Sequence, residues 1–151
     1  MNLINHTECS YCIGKNNLSY THKVVVDYLY NCLYSEIKEP EITLYHGTYL
    51  KNLNNILRDG FKLDYCEDIS FGRGIYLTPC PHLASSFTDS IILECAVKPG
   101  KIKYFNSFCC KKGCDKCRHD KMNTCNALLD LTEYNISDMS RISIKSVLYT
   151  Q

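Results

Sequence analysis

Short apolar segments rich in β-branched and aromatic residues constrain the fold of this chain more than any other feature. They lie at 42–46, 74–78, 90–97 and 142–149, and each has the length and composition of a β-strand. A weaker alternating segment at 101–105 predicts one more strand. Because the strands outnumber the helices and do not alternate with them regularly, the pattern predicts a mixed α+β fold.

Apolar residues at helical spacing, together with local start and stop residues, predict three helices among these strands. They run from Thr21 to about Ile37, from Leu50 to Leu57 with Gly60 as the C-terminal stop, and from Pro81 through Phe87. The predicted helices are interspersed among the strands.

The length of 151 residues fits a single domain over 1–151, with a polar N-terminal segment at 1–20 and a cysteine-rich loop at 106–126. The sequence contains no apolar run of 18 residues, and its start lacks the apolar stretch of a signal peptide. We therefore expect an intracellular protein, cytoplasmic or nuclear, without a membrane-spanning segment.

Charge is spread unevenly along the chain. The net charge of +1 gives the whole molecule no nucleic-acid signature, but Lys98 to Lys121 contains eight Lys or Arg residues against Asp115 and Asp120. This basic segment would suit phosphates or an acidic partner. A solvated loop whose lysines balance metal-bound thiolates explains it equally well.

Two glycine-containing motifs lie close together in strand-like surroundings, His46-Gly47-Thr48 and Gly72-Arg73-Gly74-Ile75-Tyr76. Glycines without a Cβ permit a flat ligand to approach the backbone. A histidine can donate to a ribose hydroxyl, a backbone amide can bond a carboxamide, and a tyrosine ring can stack. The combination predicts a site for nicotinamide riboside. Each motif alone is also consistent with a structural histidine and a tight turn.

Five motifs in this order resemble the catalytic domain of poly(ADP-ribose) polymerases and related diphtheria-toxin-type ADP-ribosyltransferases. They are LYHGT, NILRDGFK, FGRGIYLTP, SSF and EYNISD, which together cover roughly residues 42 to 149. The resemblance implies a pair of facing antiparallel β-sheets with short flanking helices and NAD bound in the cleft. It also implies an NAD-dependent transferase that moves ADP-ribose to a protein or nucleic-acid acceptor and releases nicotinamide.

The resemblance also assigns the NAD-binding residues. His46 would hold the ribose next to nicotinamide, Gly47 would bond the carboxamide through its backbone, and Thr48 would supply the hydroxyl of the family motif. Tyr76 would stack on nicotinamide, and Phe87 occupies the position of a second stacking tyrosine.

One position departs from the family pattern. Ala84 stands where many members have a serine that bonds the carboxamide. That contact requires Ser85 or Ser86 to replace it.

Glu133, five residues before Asp138, matches the late catalytic glutamate of the family. Loss of nicotinamide passes through an oxocarbenium-like state, which a carboxylate near the ribose 2′-hydroxyl stabilises. The same carboxylate could help to activate a nucleophile. Asp130 and Glu94 are alternatives, and Glu133 could also be a surface acid before a strand.

The sequence contains 11 cysteines, an odd number that cannot pair completely, and clustered cysteines in a reducing compartment favour metal binding. Cys114-x-x-Cys117 has zinc-knuckle spacing, and either Cys110 with Cys125 or Cys9 with Cys12 would complete four ligands for a structural zinc. Tankyrases have a similar zinc loop in this part of their domain. A reduced, redox-sensitive loop is the alternative.

Two classes of function stay open on the sequence. The first is an NAD-dependent ADP-ribosyltransferase, from which simple NAD hydrolysis cannot be separated. The second is a degenerate module that binds NAD, ADP-ribose or a protein partner without turnover, which the alanine at position 84 favours.

Overall fold

The computed structural model of the chain describes residues 2–3, 18–26, 38–63, 73–100, 102–105, 123–126 and 133–150. The strands are β1 (Asn2–Leu3), β2 (Ser19–Tyr20), β3 (His22–Val25), β4 (Ile42–Thr48), β5 (Ile75–Leu77), β6 (Ile91–Val97), β7 (Ile102–Phe105), β8 (Asn123–Asn126), β9 (Glu133–Ile136) and β10 (Ile142–Tyr149). The helices are α1 (Leu50–Asp59), α2 (Pro81–Ser85) and a 3₁₀ turn at Met139–Arg141. The mixed α and β content confirms the predicted fold class.

The first four-stranded sheet has the order β3-β10-β6-β4 and is antiparallel throughout. The predicted strands at 42–46, 90–97 and 142–149 are its three longest members. Its two central strands, β6 and β10, are buried at nearly every residue, so both faces of this sheet are covered. The sheet is therefore the rigid support for the residues that β4 carries.

The second sheet has the order β5-β9-β8-β7. Its β5–β9 and β8–β9 pairs are antiparallel, whereas β7 and β8 run parallel. The prediction of purely antiparallel sheets is therefore wrong for this one pair. A single bridge between Tyr45 of β4 and Thr78, just after β5, joins the two sheets at one edge.

The main core is built of apolar residues from both sheets and from α1. Leu44, Leu93, Ile136 and Val147 are at most 1% exposed. Leu53 is the buried residue of α1, and Ile56 and Leu57 pack beside it. Gly60 ends α1 with a φ of 75°, and its N–H donates to the Ile56 carbonyl at 2.8 Å. This agrees with the predicted helix and its glycine stop.

The helix predicted from Thr21 is wrong over 22–25, which form β3 and pair with the edge of β10. The three consecutive valines 24–26 favour a strand, and an available sheet edge satisfies their backbone groups. Residues 27–37 lie outside the described part. The sequence also failed to predict β9, whose motif was interpreted only as the approach to the last strand.

In the described part of the chain, neither helix has the length or apolar character needed to cross a bilayer. The cysteine-rich segment at 106–122 and residues 4–17 lie outside the described residues.

Candidate functional site

His46 lies on β4 with its ring directed toward β5. Its Nδ1 is 2.8 Å from the backbone carbonyl oxygen of Tyr76, and the Phe61 ring meets it edge-on at a centroid distance of 5.1 Å. Burial lowers the pKa of His46, and the hydrogen bond to the Tyr76 carbonyl opposes this only in part. The ring is therefore neutral at pH 7.

The Tyr76 carbonyl also fixes the tautomer of His46. A carbonyl oxygen can only accept, so the ring proton lies on Nδ1 and the other nitrogen, Nε2, is an acceptor. The sequence-based expectation that His46 donates to a ribose hydroxyl is wrong in direction. In this arrangement Nε2 can accept a hydrogen bond but cannot donate one.

Gly47 packs against the end of α2. A Cβ at this position would lie 2.0 Å from the carbonyl oxygen of Ala84. At Gly74 a Cβ would lie 1.6 Å from Oδ1 of Asn135. Protein atoms therefore fill the space where each Cβ would be, although Gly47 lines the smaller cavity described below and Gly74 the larger one. The close approach of a flat ligand to these glycines stays a prediction.

The backbone of Gly47 is nevertheless directed to the open edge of β4. Both backbone groups of Tyr45 bond Thr78 on the edge away from β6, at 2.7 and 2.9 Å. Backbone groups alternate along a strand, so those of Gly47, two residues later, point to that same edge. Thr78 ends the pairing there, which leaves the Gly47 amide directed toward the space beyond.

Glu133 begins β9, the neighbour of β5. Its strand partner in β8 is Asn126, and Asn135, two residues later, pairs with Tyr76. Because side chains alternate along a strand, Glu133, Asn135 and Tyr76 share one face of the sheet. Burial raises the pKa of Glu133, since its carboxylate loses hydration.

A pocket of about 280 Å³ brings the predicted residues together. Its walls come from β4, β5, the turn after α2 and the start of β9, and they consist of Tyr45, His46, Gly47, Tyr76, Leu77, Thr78, Ala84, Phe87 and Glu133. Phe87 is 55% exposed and forms the outer wall. One pocket therefore contains the histidine, the glycine, the two aromatic residues and the glutamate, which are far apart in sequence.

A larger cavity of about 570 Å³ adjoins this pocket, and His46 and Tyr76 line both. Its remaining wall is mostly α1 and the residues that follow it, with Asn52, Asn55 and Lys62 among the polar ones. Thr48 lines this cavity and not the smaller pocket. The sequence analysis missed the two asparagines, although their i, i+3 spacing places them on one face of an amphipathic helix.

Ser85 lines neither of the two cavities. Its hydroxyl donates to the His82 carbonyl at 2.6 Å, and the hydroxyl of Ser86 donates to the Leu83 carbonyl at the same distance. Both side chains therefore bond within their own helical turn. The predicted replacement of the carboxamide contact by either serine has no support from this geometry.

The alternative acid Glu94 lies on β6 and lines neither of the two cavities. Its carboxylate accepts from Ser146 Oγ at 2.9 Å and from Lys23 Nζ at 3.1 Å. These partners give it a structural role. Asp130 lies outside the described residues.

The predicted zinc ligands Cys9, Cys12, Cys110, Cys114 and Cys117 lie outside the described residues, and only the backbone of Cys125 is described, in β8. Within the ranges that are described, no cluster of His, Cys, Asp or Glu side chains could hold a metal. The zinc site stays a prediction.

Comparison with known proteins identifies the family of this chain. A family model described as the poly(ADP-ribose) polymerase catalytic domain matches residues 14–104, more than half of the 151 residues. The chain therefore belongs to this family, whose catalytic domains are ADP-ribosyltransferases. The matched range includes His46, Tyr76 and Phe87 but ends before Glu133.

A similar solved structure is the PARP domain of Arabidopsis RADICAL-INDUCED CELL DEATH1. The TM-score is 0.66 at 13% identity, with 87% of this chain and 86% of that chain covered. At this identity the likeness establishes the fold alone. A comparison with curated proteins gives no significant match.

Proposed function

We propose that this chain cleaves NAD at the nicotinamide bond and transfers ADP-ribose to a protein or nucleic-acid acceptor. One observation carries the proposal: the pocket of about 280 Å³ is lined by His46, Gly47, Tyr76, Phe87 and Glu133 together. A histidine, two aromatic rings and a desolvated carboxylate around a small cavity suit a flat amide-bearing ring attached to a sugar.

Nicotinamide would lie between the ring of Tyr76 and that of Phe87. The Gly47 amide at the open edge of β4 would bond the carboxamide, and Nε2 of His46 would accept a hydrogen bond from the ribose hydroxyl. Because the larger cavity shares His46 and Tyr76 with the pocket, the ADP part of NAD would continue into it. Lys62 and the asparagines of α1 suit phosphate and ribose oxygens there.

Glu133 would orient the ribose 2′-hydroxyl and stabilise the oxocarbenium-like transition state. Burial raises the pKa of this carboxyl, which makes its oxygens better proton acceptors than those of an exposed glutamate. It is therefore suited to receive a proton from the incoming nucleophile. Nicotinamide leaves, and the acceptor oxygen or nitrogen forms the new bond to the ribose carbon.

The test incubates wild-type protein and Glu133→Gln with adenylate-labelled NAD and a mixed lysate, and follows nicotinamide release and label transfer separately. Release and transfer by the wild type alone would support the proposal. Release without transfer would indicate NAD hydrolysis or the lack of a suitable acceptor. If folded wild-type protein shows neither nicotinamide release nor label transfer, the proposal is contradicted.

A second candidate is an NAD-binding or ADP-ribose-binding module without turnover. It is favoured by Ala84, which lines the pocket without a hydroxyl, and by the two following serines, whose hydroxyls bond within their own turn. Calorimetric titration of the wild type with NAD, beside the nicotinamide-release assay above, separates the candidates. The module would bind NAD without releasing nicotinamide.

The cysteine spacing supports a structural zinc held by Cys114 and Cys117 with either Cys110 and Cys125 or Cys9 and Cys12. Metal analysis of wild type and of a Cys114→Ser variant tests this. We place the whole chain in one domain and in the cytoplasm or nucleus, as the sequence suggests.

A further inference from the structure

Thr88, which follows Phe87 in the turn after α2, makes three hydrogen bonds with a single hydroxyl. Its Oγ1 donates to the Thr48 carbonyl at 2.5 Å and accepts from the N–H groups of Ser90 and Ile91 at 3.1 and 2.9 Å. Ile91 and Thr48 are register partners at the end of the β4–β6 pair. The hydroxyl therefore bridges the two strands where their pairing ends, and the residue before it, Phe87, lines the pocket.

Phe87 is held less by packing than a buried side chain would be. It is 55% exposed, although it forms the outer wall of the pocket. On its N-terminal side the Phe87 N–H donates to the Ala84 carbonyl at 3.1 Å. On its C-terminal side, the hydroxyl of the next residue, Thr88, donates to the Thr48 carbonyl of β4.

Gly47 lies next to the turn that contains Phe87 and Thr88, and it lines the same pocket as Phe87. A Cβ on Gly47 would lie 3.4 Å from the backbone carbon of Phe87, so the two backbones are close. Thr48, whose carbonyl receives the Thr88 hydroxyl, is the residue next to Gly47. A hydrogen bond therefore crosses from the turn to β4 between the residue after Phe87 and the residue after Gly47.

We propose that Thr88 is a positioning residue, which sets the width of the pocket by holding Phe87 against the Gly47–Thr48 end of β4. The inference rests on the proposed function, because it assigns this pocket to a flat carboxamide-bearing ring. Thr88 itself does not line the pocket and would act through Phe87.

The test compares Thr88→Val, which keeps the shape and loses the hydroxyl, with Thr88→Ser, which keeps the hydroxyl. Ser86→Ala is the matched control, because the Ser86 hydroxyl bonds only within its own turn. Benzamide, a carboxamide-bearing ring that cannot react, is the probe in calorimetric titrations at a temperature where all variants are folded. Thermal unfolding and the KM and kcat for nicotinamide release from NAD are measured in parallel.

We expect Thr88→Val to weaken benzamide binding roughly tenfold and to raise KM by a similar factor, with kcat less affected. Thr88→Ser and Ser86→Ala should bind within about twofold of the wild type, since the crossing bond is intact in both. Adding Thr88→Val to Phe87→Ala should cause little further loss of affinity, because Thr88 acts through that ring.

A purely structural threonine would lower the unfolding temperature of Thr88→Val and leave its benzamide affinity unchanged, which would overturn the inference. If Thr88→Val does not fold, Thr88→Cys takes its place, because a thiol retains a weak donor. Its loss of benzamide affinity should be smaller than the roughly tenfold loss expected for valine, and wild-type affinity there would also overturn the inference. Wild-type protein that binds neither benzamide nor NAD would reject the proposed function and this role with it. A wild type that binds both, beside an unaffected Thr88→Val, would reject only this role.

Discussion

Two half-buried glutamates, Glu94 and Glu133, show how differently this fold treats the same side chain. Glu94, in the middle of β6, accepts hydrogen bonds from the Ser146 hydroxyl and from the Lys23 ammonium group. Glu133, at the start of β9, has no hydrogen bond or ion pair to its carboxylate from any residue in the described part, and burial raises its pKa. Burial disfavours the charged form of this carboxyl, which costs stability, so its place in a pocket is better explained by function than by folding.

The largest effect that this comparison predicts is on activity. Glu133→Gln should lower nicotinamide release by roughly 10²- to 10⁴-fold, because it removes the carboxylate that stabilises the transition state and accepts a proton. Glu94→Gln should remain within about threefold of the wild type, since its side chain lies outside both cavities. Steady-state rates of both variants decide the matter. If Glu94→Gln and Glu133→Gln lost activity equally, the two glutamates would not differ in function.

The next effect is on stability at the other glutamate. Glu94→Ala would leave the buried Ser146 hydroxyl without its acceptor, at a cost of about 1–2 kcal/mol in the free energy of unfolding. Glu94→Gln keeps an acceptor oxygen and loses only the ion pair with Lys23, which is partly exposed and worth about 0–1 kcal/mol. Urea unfolding at pH 7 measures both values. If Glu94→Ala were as stable as the wild type, the carboxylate would not have the structural role assigned to it.

A pH series sharpens the contrast, because the Glu133 pKa is higher in the folded chain than the value of 4.5 for an unperturbed glutamate. The folded state then binds more protons than the unfolded state between these two pKa values. The Glu133 contribution to stability is therefore complete below about pH 4.5 and is lost as the pH rises through the folded pKa. Glu133→Gln should unfold at a higher temperature than the wild type at pH 8, and the gap should close toward pH 4.5. A gap that is constant across the series would argue that the carboxylate is not desolvated.

The same contrast explains what the sequence could predict. The strands around β6 and β10 and the helix ended by Gly60 follow from apolar periodicity and a left-handed glycine, which are local signals. Edge pairing is not local: β3 forms because β10 offers it a partner, and nothing in residues 22–25 themselves requires it. The family resemblance predicted that His46, Tyr76 and Glu133 share one site. The hydrogen-bond partner of a hydroxyl group, however, depends on its neighbours in space. The bonds of Ser85 within α2 and of Thr88 across to β4 therefore became visible only in the structure.

The smallest effect concerns a proton on the other side of the pocket. Burial lowers the pKa of His46 below its ordinary value of 6.5, and the Tyr76 carbonyl keeps the remaining proton on Nδ1. Nitrogen NMR of imidazole-labelled protein should show, at pH 7, a neutral His46 ring with an unprotonated Nε2. The His46 signals are identified by their absence from the spectrum of His46→Gln. Protonation should appear only below pH 6.5, and the stability contributed by the neutral ring is lost as the pH falls from 6.5 through the folded pKa. A ring already charged at pH 7, or one with its proton on Nε2, would mean that His46 donates to its ligand, and the proposed contact with the ribose hydroxyl would reverse.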